Sequence, residues 1–108
     1  MINLSSPEAI KLQIANEDIV VALFSDLACN VCLSITPDLL DMSERYPRVS
    51  FISADVEAVK ALVGDYLILV YPTIIVFAQG KETKRFERLF SLDQLEETIE
   101  RFDRILNG

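Results

Sequence analysis

Two cysteines separated by two residues are the part of this sequence that could do chemistry. Cys29 and Cys32 are the only cysteines among 108 residues, and they enclose Asn30 and Val31. Two thiols at this spacing can form a reversible disulfide and exchange it with disulfides in other molecules. An apolar run gives way to a helical pattern here, so the first sulfur is expected at a helix start. Unpaired backbone N–H groups and the helix dipole favour the thiolate there.

The alternative interpretation of the two cysteines is that they are small buried hydrophobic side chains. The chain contains no histidine, which excludes a histidine general base and a Ser-His-Asp triad. A mononuclear zinc site normally needs four cysteine or histidine ligands, and one copy of this chain offers two. Two copies could still share a metal ion or an iron–sulfur cluster, so a dimeric metal binder stays open.

The apolar pattern predicts the elements that must hold this pair. Residues 19–24 form a continuous apolar run, which is typical of a strand buried on both faces. A helix is predicted over residues 29–46. Pro37 lies inside it and should kink it, because proline lacks the backbone donor and clashes with the preceding turn.

The other elements follow from caps, turn residues and periodicity. In chain order they are a helix to residue 16 capped by Ser5, a strand over 49–54, a helix over 55–63 ended by Gly64, a strand over 73–78, a turn at Gln79-Gly80, a strand over 83–89, and a C-terminal amphipathic helix capped by Ser91. Strands separated by helices favour parallel pairing, and the late hairpin adds an antiparallel edge.

A strand, a Cys-x-x-Cys pair at a helix start, an internal proline and a Tyr-Pro-Thr before a strand occur together. This combination resembles the thioredoxin family over nearly the whole chain. The matching residues are Phe24, Cys29, Cys32, Pro37, Asp55, Tyr66, Pro72, Thr73, Phe77 and Gly80. The resemblance implies an α/β, thioredoxin-like fold in a single domain over residues 1–108. Its central mixed β-sheet would have four to five strands, with helices on both faces.

The resemblance also implies a thiol–disulfide oxidoreductase. Cys29 would be the nucleophile and Cys32 the resolving thiol. Tyr71, Pro72 and Thr73 would form the substrate-binding segment, with a cis peptide bond before the proline and the backbone of Tyr71 bonding an extended substrate. Residues 66–70 have the composition of a strand, but the resemblance implies a loop.

The residues near the cysteines are expected to tune their reactivity. Ala28 stands where the family usually has tryptophan, and Asn30-Val31 replaces its usual Gly-Pro. Asp26 lies three residues before the first cysteine, where its charge could disfavour the thiolate. The alternative is an exposed carboxylate with little effect. Pro37 completes this group.

Further departures concern the support of the dithiol. Leu23 stands where the family has a buried aspartate, and Phe51 stands at the position of its lysine partner. A glycine that borders the substrate groove in the family falls near Arg88. Resolution by Cys32 should therefore be slow. These departures favour an alternative function, an interaction or redox-sensing module with little turnover.

Composition limits the partners. The net charge is −7, which argues against nucleic acid. The longest apolar stretch, residues 66–78, is interrupted by Pro72 and is too short to cross a bilayer. We expect a cytoplasmic monomer without a cofactor. It would act on disulfide-containing proteins and receive electrons from an upstream reductase or dithiol donor.

Overall fold

The computed structural model describes residues 1–26, 29–56, 60–88 and 90–108. Within these ranges the strands are β1 (Ile2–Asn3), β2 (Ile19–Ser25), β3 (Ser50–Asp55), β4 (Thr73–Ala78) and β5 (Lys81–Glu87). The helices are α1 (Pro7–Asn16), α2 (Asn30–Arg45), α3 (Ala61–Tyr66) and α4 (Leu92–Asn107). The strands form one sheet in the order β1-β3-β2-β4-β5.

Strand β2 occupies the centre of this mixed sheet. It runs parallel to β3 and antiparallel to β4, so that Val21 lies between Phe51 and Val76. Strand β1 adds a short parallel edge beside β3, and β5 adds an antiparallel edge beside β4. The expected mixed sheet of four to five strands is confirmed. The two-residue strand β1 was not predicted, because so short a segment shows no alternation.

Each face of the sheet carries its own hydrophobic core. Successive side chains of β2 point to opposite faces, so an uninterrupted apolar run supplies both. One core includes Ile10 and Ile14 of α1, Leu62 of α3, and Val20, Ala22 and Phe24 of β2. The other includes Leu39 and Met42 of α2, Leu95 and Ile99 of α4, and Val21 and Leu23 of β2. Helices therefore cover both faces, as expected.

The N-terminal cap of α1 differs from the prediction by one residue. Ser6, rather than Ser5, is the N-cap, and its side chain accepts a hydrogen bond of 3.1 Å from the Ala9 amide. Pro7 then takes the first helical position, where no amide donor is needed. The prediction was wrong because two adjacent serines offer the same capping chemistry.

The third helix ends further along the chain than predicted, and residues 57–59 of the predicted helix lie outside the described residues. It spans Ala61–Tyr66, so that Gly64 lies inside it instead of ending it. Leu67 ends the helix in the left-handed conformation, with a φ of 53°. Glycine usually fills that position because it has no Cβ, which explains why the sequence pointed to the wrong residue.

Arg85 of β5 stabilises this unusual helix end. Its guanidinium donates to the carbonyl oxygens of Tyr66 at 2.7 Å and Leu67 at 2.9 Å. These carbonyls belong to the last turn, where helical partners run out. Glu82 accepts two further hydrogen bonds from the same guanidinium and raises the pKa of Arg85 above its ordinary value. The chain leaving α3 is thus fixed to the sheet.

An ion pair joins α2 to α4 on the opposite face. Arg45 donates two hydrogen bonds to the Glu96 carboxylate, at 2.6 and 2.8 Å, and the Tyr46 hydroxyl donates a third at 3.0 Å. The hydrogen bonds from Arg45 hold the pKa of Glu96 below its ordinary value of 4.5. A lowered pKa stabilises the fold above pH 4.5, and this contribution is lost as the pH falls through the lowered value.

We therefore expect Glu96→Gln to destabilise the protein at pH 7 but not at pH 2. The loss should be below about 1 kcal/mol, since both side chains are partly exposed and solvent screens the pair. Urea unfolding at the two pH values measures it. Glu97→Gln is the matched control, because Glu97 makes no ion pair with any residue the structure describes. Equal losses in both variants would contradict the role of the pair.

Candidate active site

The candidate site lies where the strands of the sheet start or end: β2, β3 and β5 end there, and β4 begins there. Strands β2 and β3 are parallel and both end there, and β5 ends there beside the start of β4. Thr73, the first residue of β4, pairs with Phe24 on one side and Glu87 on the other. Three parts of the chain therefore converge on this end of the sheet: the segment leading to the cysteines, the proline before β4 and the residue after β5.

Cys29 and Cys32 form a disulfide at the start of α2, with their Cα atoms 5.3 Å apart. Cys29 is the N-cap of this helix, and its Sγ accepts a hydrogen bond of 3.2 Å from the Cys32 amide. Its own amide donates to the carbonyl of Asp26 at 2.9 Å. The first sulfur thus lies where helix N–H groups point, as the sequence predicted.

The two cysteines differ in their exposure to solvent. Cys32 is 3% exposed, whereas Cys29 is only partly buried. Another molecule can therefore approach Cys29 while Cys32 stays within the protein. Such a pair can exchange two electrons with an external disulfide, one sulfur forming the intermolecular bond and the other breaking it.

The predicted tuning residues occupy different environments. Asn30 and Val31 form the exposed first turn of α2, with Val31 43% exposed. Asp26 is half-buried beyond the end of β2, and Ala28 lies outside the described residues. Pro37 is exposed inside α2, which continues through it to Arg45. Their influence on the cysteines, and the kink at the proline, stay predictions.

The segment before β4 has the expected geometry. The peptide bond between Tyr71 and Pro72 is cis, and the proline is buried. Residues 67–70 belong to no helix or strand, which confirms a loop after the end of α3. Tyr71 is half-buried and packs against the core beneath α1 and α3.

Comparison with known proteins agrees with this geometry. The thioredoxin family model matches residues 3–101. The chain belongs to the thioredoxin family. Its relatives include thioredoxin H1 of Arabidopsis thaliana, 33% identical over 73 residues, and thioredoxin of Ovis aries, 31% identical over 88 residues. These alignments cover 66% and 82% of this chain, and 64% and 83% of the relatives. The chain matches about three fifths of the length of thioredoxin H-type 1 of Nicotiana tabacum, with 30% identity.

Solved structures show the same fold. Thioredoxin of Plasmodium falciparum superposes with a TM-score of 0.86 at 23% identity, covering 94% of this chain and 98% of that one. Thioredoxin of Fasciola hepatica gives a TM-score of 0.82 at 26% identity, with coverages of 94% and 99%. The thioredoxin fold implied by the sequence is thereby confirmed.

Thr73 has a structural function in this thioredoxin-fold site. It is fully buried, and its hydroxyl donates to the carbonyl of Val70 at 2.7 Å. This hydrogen bond ties the loop before the cis proline to the start of β4. The predicted substrate contact of Thr73 stays a prediction, and it would have to use the backbone, because the hydroxyl has a partner within the chain.

Two of the residues that depart from the family pattern, Leu23 and Phe51, belong to the hydrophobic core. Leu23 and Phe51 are each 3% exposed and lie in the core beneath α2 and α4. Apolar packing here avoids the desolvation cost that a buried carboxylate and lysine would carry. As a consequence, β2 presents no carboxylate at residue 23, in the core beneath α2.

Two exposed leucines in the loop before the cis proline were not singled out from the sequence. Leu67 and Leu69, in the loop leading to Tyr71, are 66% and 80% exposed. Their signal was the apolar run over residues 66–70, whose composition suggested buried strand.

Neither a metal cluster nor a membrane helix is found in the described parts of the chain. No group of three histidine, cysteine, aspartate or glutamate side chains is placed there to hold a metal ion. No helix in the same ranges has the length and apolar character needed to span a bilayer.

Proposed function

We propose that this member of the thioredoxin family is a thiol–disulfide oxidoreductase that reduces disulfides in other proteins. The observation that carries the proposal is the Cys29–Cys32 disulfide at the N-terminus of α2, with Cys29 partly exposed and Cys32 buried. The thioredoxin relatives support it.

The proposed reaction has two exchange steps. In the reduced protein, the Cys29 thiolate attacks one sulfur of the substrate disulfide, and the other substrate sulfur leaves as a thiolate that takes up a proton. Cys32 then loses its proton and attacks the Cys29 sulfur. This step forms the disulfide seen here and releases the second substrate thiol. Two electrons have passed from the protein to the substrate.

The helix start favours the attacking form of Cys29. Amides of the first turn have no helical acceptor, and the Cys32 amide already lies 3.2 Å from the Cys29 sulfur. A thiolate would accept this bond more strongly than a neutral sulfur does. We further propose that Asp26, Ala28, Asn30, Val31 and Pro37 tune this preference.

Substrate would dock beside the cysteines on the segment before β4. Tyr71 would bond an extended substrate chain through its backbone, and Pro72 would shape the site. Thr73 would hold this segment in place through Val70. The protein would act as a cytoplasmic monomer without a cofactor, and an upstream reductase or dithiol donor would return its electrons.

Insulin reduction tests the proposal. With dithiothreitol as donor, the protein should accelerate insulin precipitation above the rate of the donor alone, and each protein molecule should reduce many insulin disulfides. The protein oxidised beforehand and supplied with no donor is the control, because it has no electrons to give. A rate equal to that of the donor alone would reject the enzyme and favour an interaction module.

A further inference from the structure

Arg88 has a backbone conformation that arginine rarely adopts. Its φ is 56°, in the left-handed region where a Cβ is disfavoured. Glycine avoids this cost, yet the sequence has arginine. Strained residues of this kind concentrate at functional sites, so the side chain itself calls for an explanation.

The position of Arg88 is fixed beside the candidate site. It directly follows β5, and its amide donates a hydrogen bond of 2.7 Å to the carbonyl of Pro72. Pro72 directly precedes β4, at the end of the sheet where the cysteines lie. The proline and the arginine are thus neighbours through a backbone contact that does not depend on the side chain.

The charge of Arg88 is available to a ligand. The residue is exposed, and its guanidinium forms no ion pair with any carboxylate in the described ranges. Arg45, Arg48 and Arg85 are each paired with a carboxylate, whereas Arg101 and Arg104, like Arg88, form no ion pair in the described ranges. Arg88 therefore places a positive charge next to Pro72 in a chain whose net charge is −7.

We propose that Arg88 determines substrate specificity by favouring disulfides with a carboxylate beside the reacting cysteine. A guanidinium offers several N–H donors in a plane and can bind a carboxylate through two hydrogen bonds. The inference rests on the proposed function, since it concerns the substrate of the same dithiol. It deepens that function by assigning a chemical class, an acidic segment, to the partner.

Peptides that differ in one charge test this specificity. Three short peptides, identical except for glutamate, glutamine or lysine beside a single cysteine, are activated as 2-pyridyl disulfides. The second-order rate constant for reduction by the reduced protein is measured for each at low ionic strength. The quantity compared is the rate constant for the glutamate peptide divided by the rate constant for the lysine peptide.

Arg88→Gln should lower this ratio about fivefold, because it removes both the attraction of Arg88 for the peptide glutamate and its repulsion of the peptide lysine. Each of these interactions is comparable in strength to an exposed charge pair. Arg88→Glu should lower it further, and Arg88→Lys should keep most of it. The differences should shrink at high salt, which screens exposed charges. Lys81→Gln, which removes a cation at the opposite end of β5, is the matched control and should keep the wild-type ratio.

The outcomes separate the specificity from the function. Arg88→Gln keeps a side chain at the strained position, so a purely structural effect would change all three peptides equally and leave the ratio unchanged. Reduction of all three peptides with a ratio that is insensitive to residue 88 would overturn the inference alone. Failure of the wild-type protein to reduce the glutamine peptide would overturn the proposed function, and the inference with it.

Discussion

Cys29→Ser is expected to abolish disulfide reduction, lowering the rate of insulin turnover by about a thousandfold or more, because a hydroxyl cannot replace the thiolate nucleophile. The fold should be kept, since serine is a good N-cap and can accept the hydrogen bond that the Cys32 amide now donates to sulfur. Turnover is measured with insulin and a dithiol donor, and the fold by circular dichroism.

Cys32→Ser is the informative control for this result. It keeps the accessible nucleophile and should complete the first exchange, but it cannot release the substrate from Cys29. A covalent adduct of protein and substrate should therefore accumulate, and mass spectrometry should place it on Cys29. An adduct on Cys32 in the Cys29→Ser variant, with comparable yield, would reverse the assigned roles.

Slow resolution is the second large effect that we expect. Cys32 is 3% exposed, and Leu23, where the family usually has a buried aspartate, is equally buried in apolar surroundings. No carboxylate at residue 23 can take the thiol proton. The second step should be about a hundredfold slower than with such a base, at the low end of what general base catalysis contributes. Its rate should rise about tenfold per pH unit, because the attacking thiolate becomes more abundant.

Stopped-flow mixing with an excess of peptide 2-pyridyl disulfide measures this step. Release of the pyridine thione reports the first exchange, and acid quenching followed by mass spectrometry follows the decay of the mixed disulfide. The intermediate should accumulate at pH 6 and decay faster at pH 8. In Cys32→Ser it should persist at both values. Decay at a pH-independent rate, too fast for accumulation, would show that another group replaces the missing base.

The sheet could be predicted because its burial is encoded in local sequence. The continuous apolar run of β2 requires cover on both faces, and the structure places two helices on each. The third helix was misplaced because Gly64 gave the stronger stop signal. At the true end, the carbonyl of Leu67 accepts a hydrogen bond from Arg85, which is distant in sequence and reaches it only in the folded state.

The site was predictable only in part, for the same reason. The cysteine pair carries a strong local signal, whereas the cis bond was implied by the resemblance to the family, and the structure has both the disulfide and the cis bond. The exposure of Leu69 could not be inferred, since an apolar residue in an apolar run is usually buried. Arginine itself gives no signal for the left-handed conformation of Arg88, and the only hint was the glycine that the family has near this position.

The two edges of the sheet differ in how readily another chain could pair with them. Five of the seven residues of β5, between Lys81 and Glu87, are charged, so an intruding strand would have to bury or displace these side chains. Beside β3 the cover is thinner, since β1 pairs only with Ile52 and Ser53. Strand β1 therefore pairs with backbone groups of β3 that would otherwise be free, and its detachment would expose them for pairing with another chain.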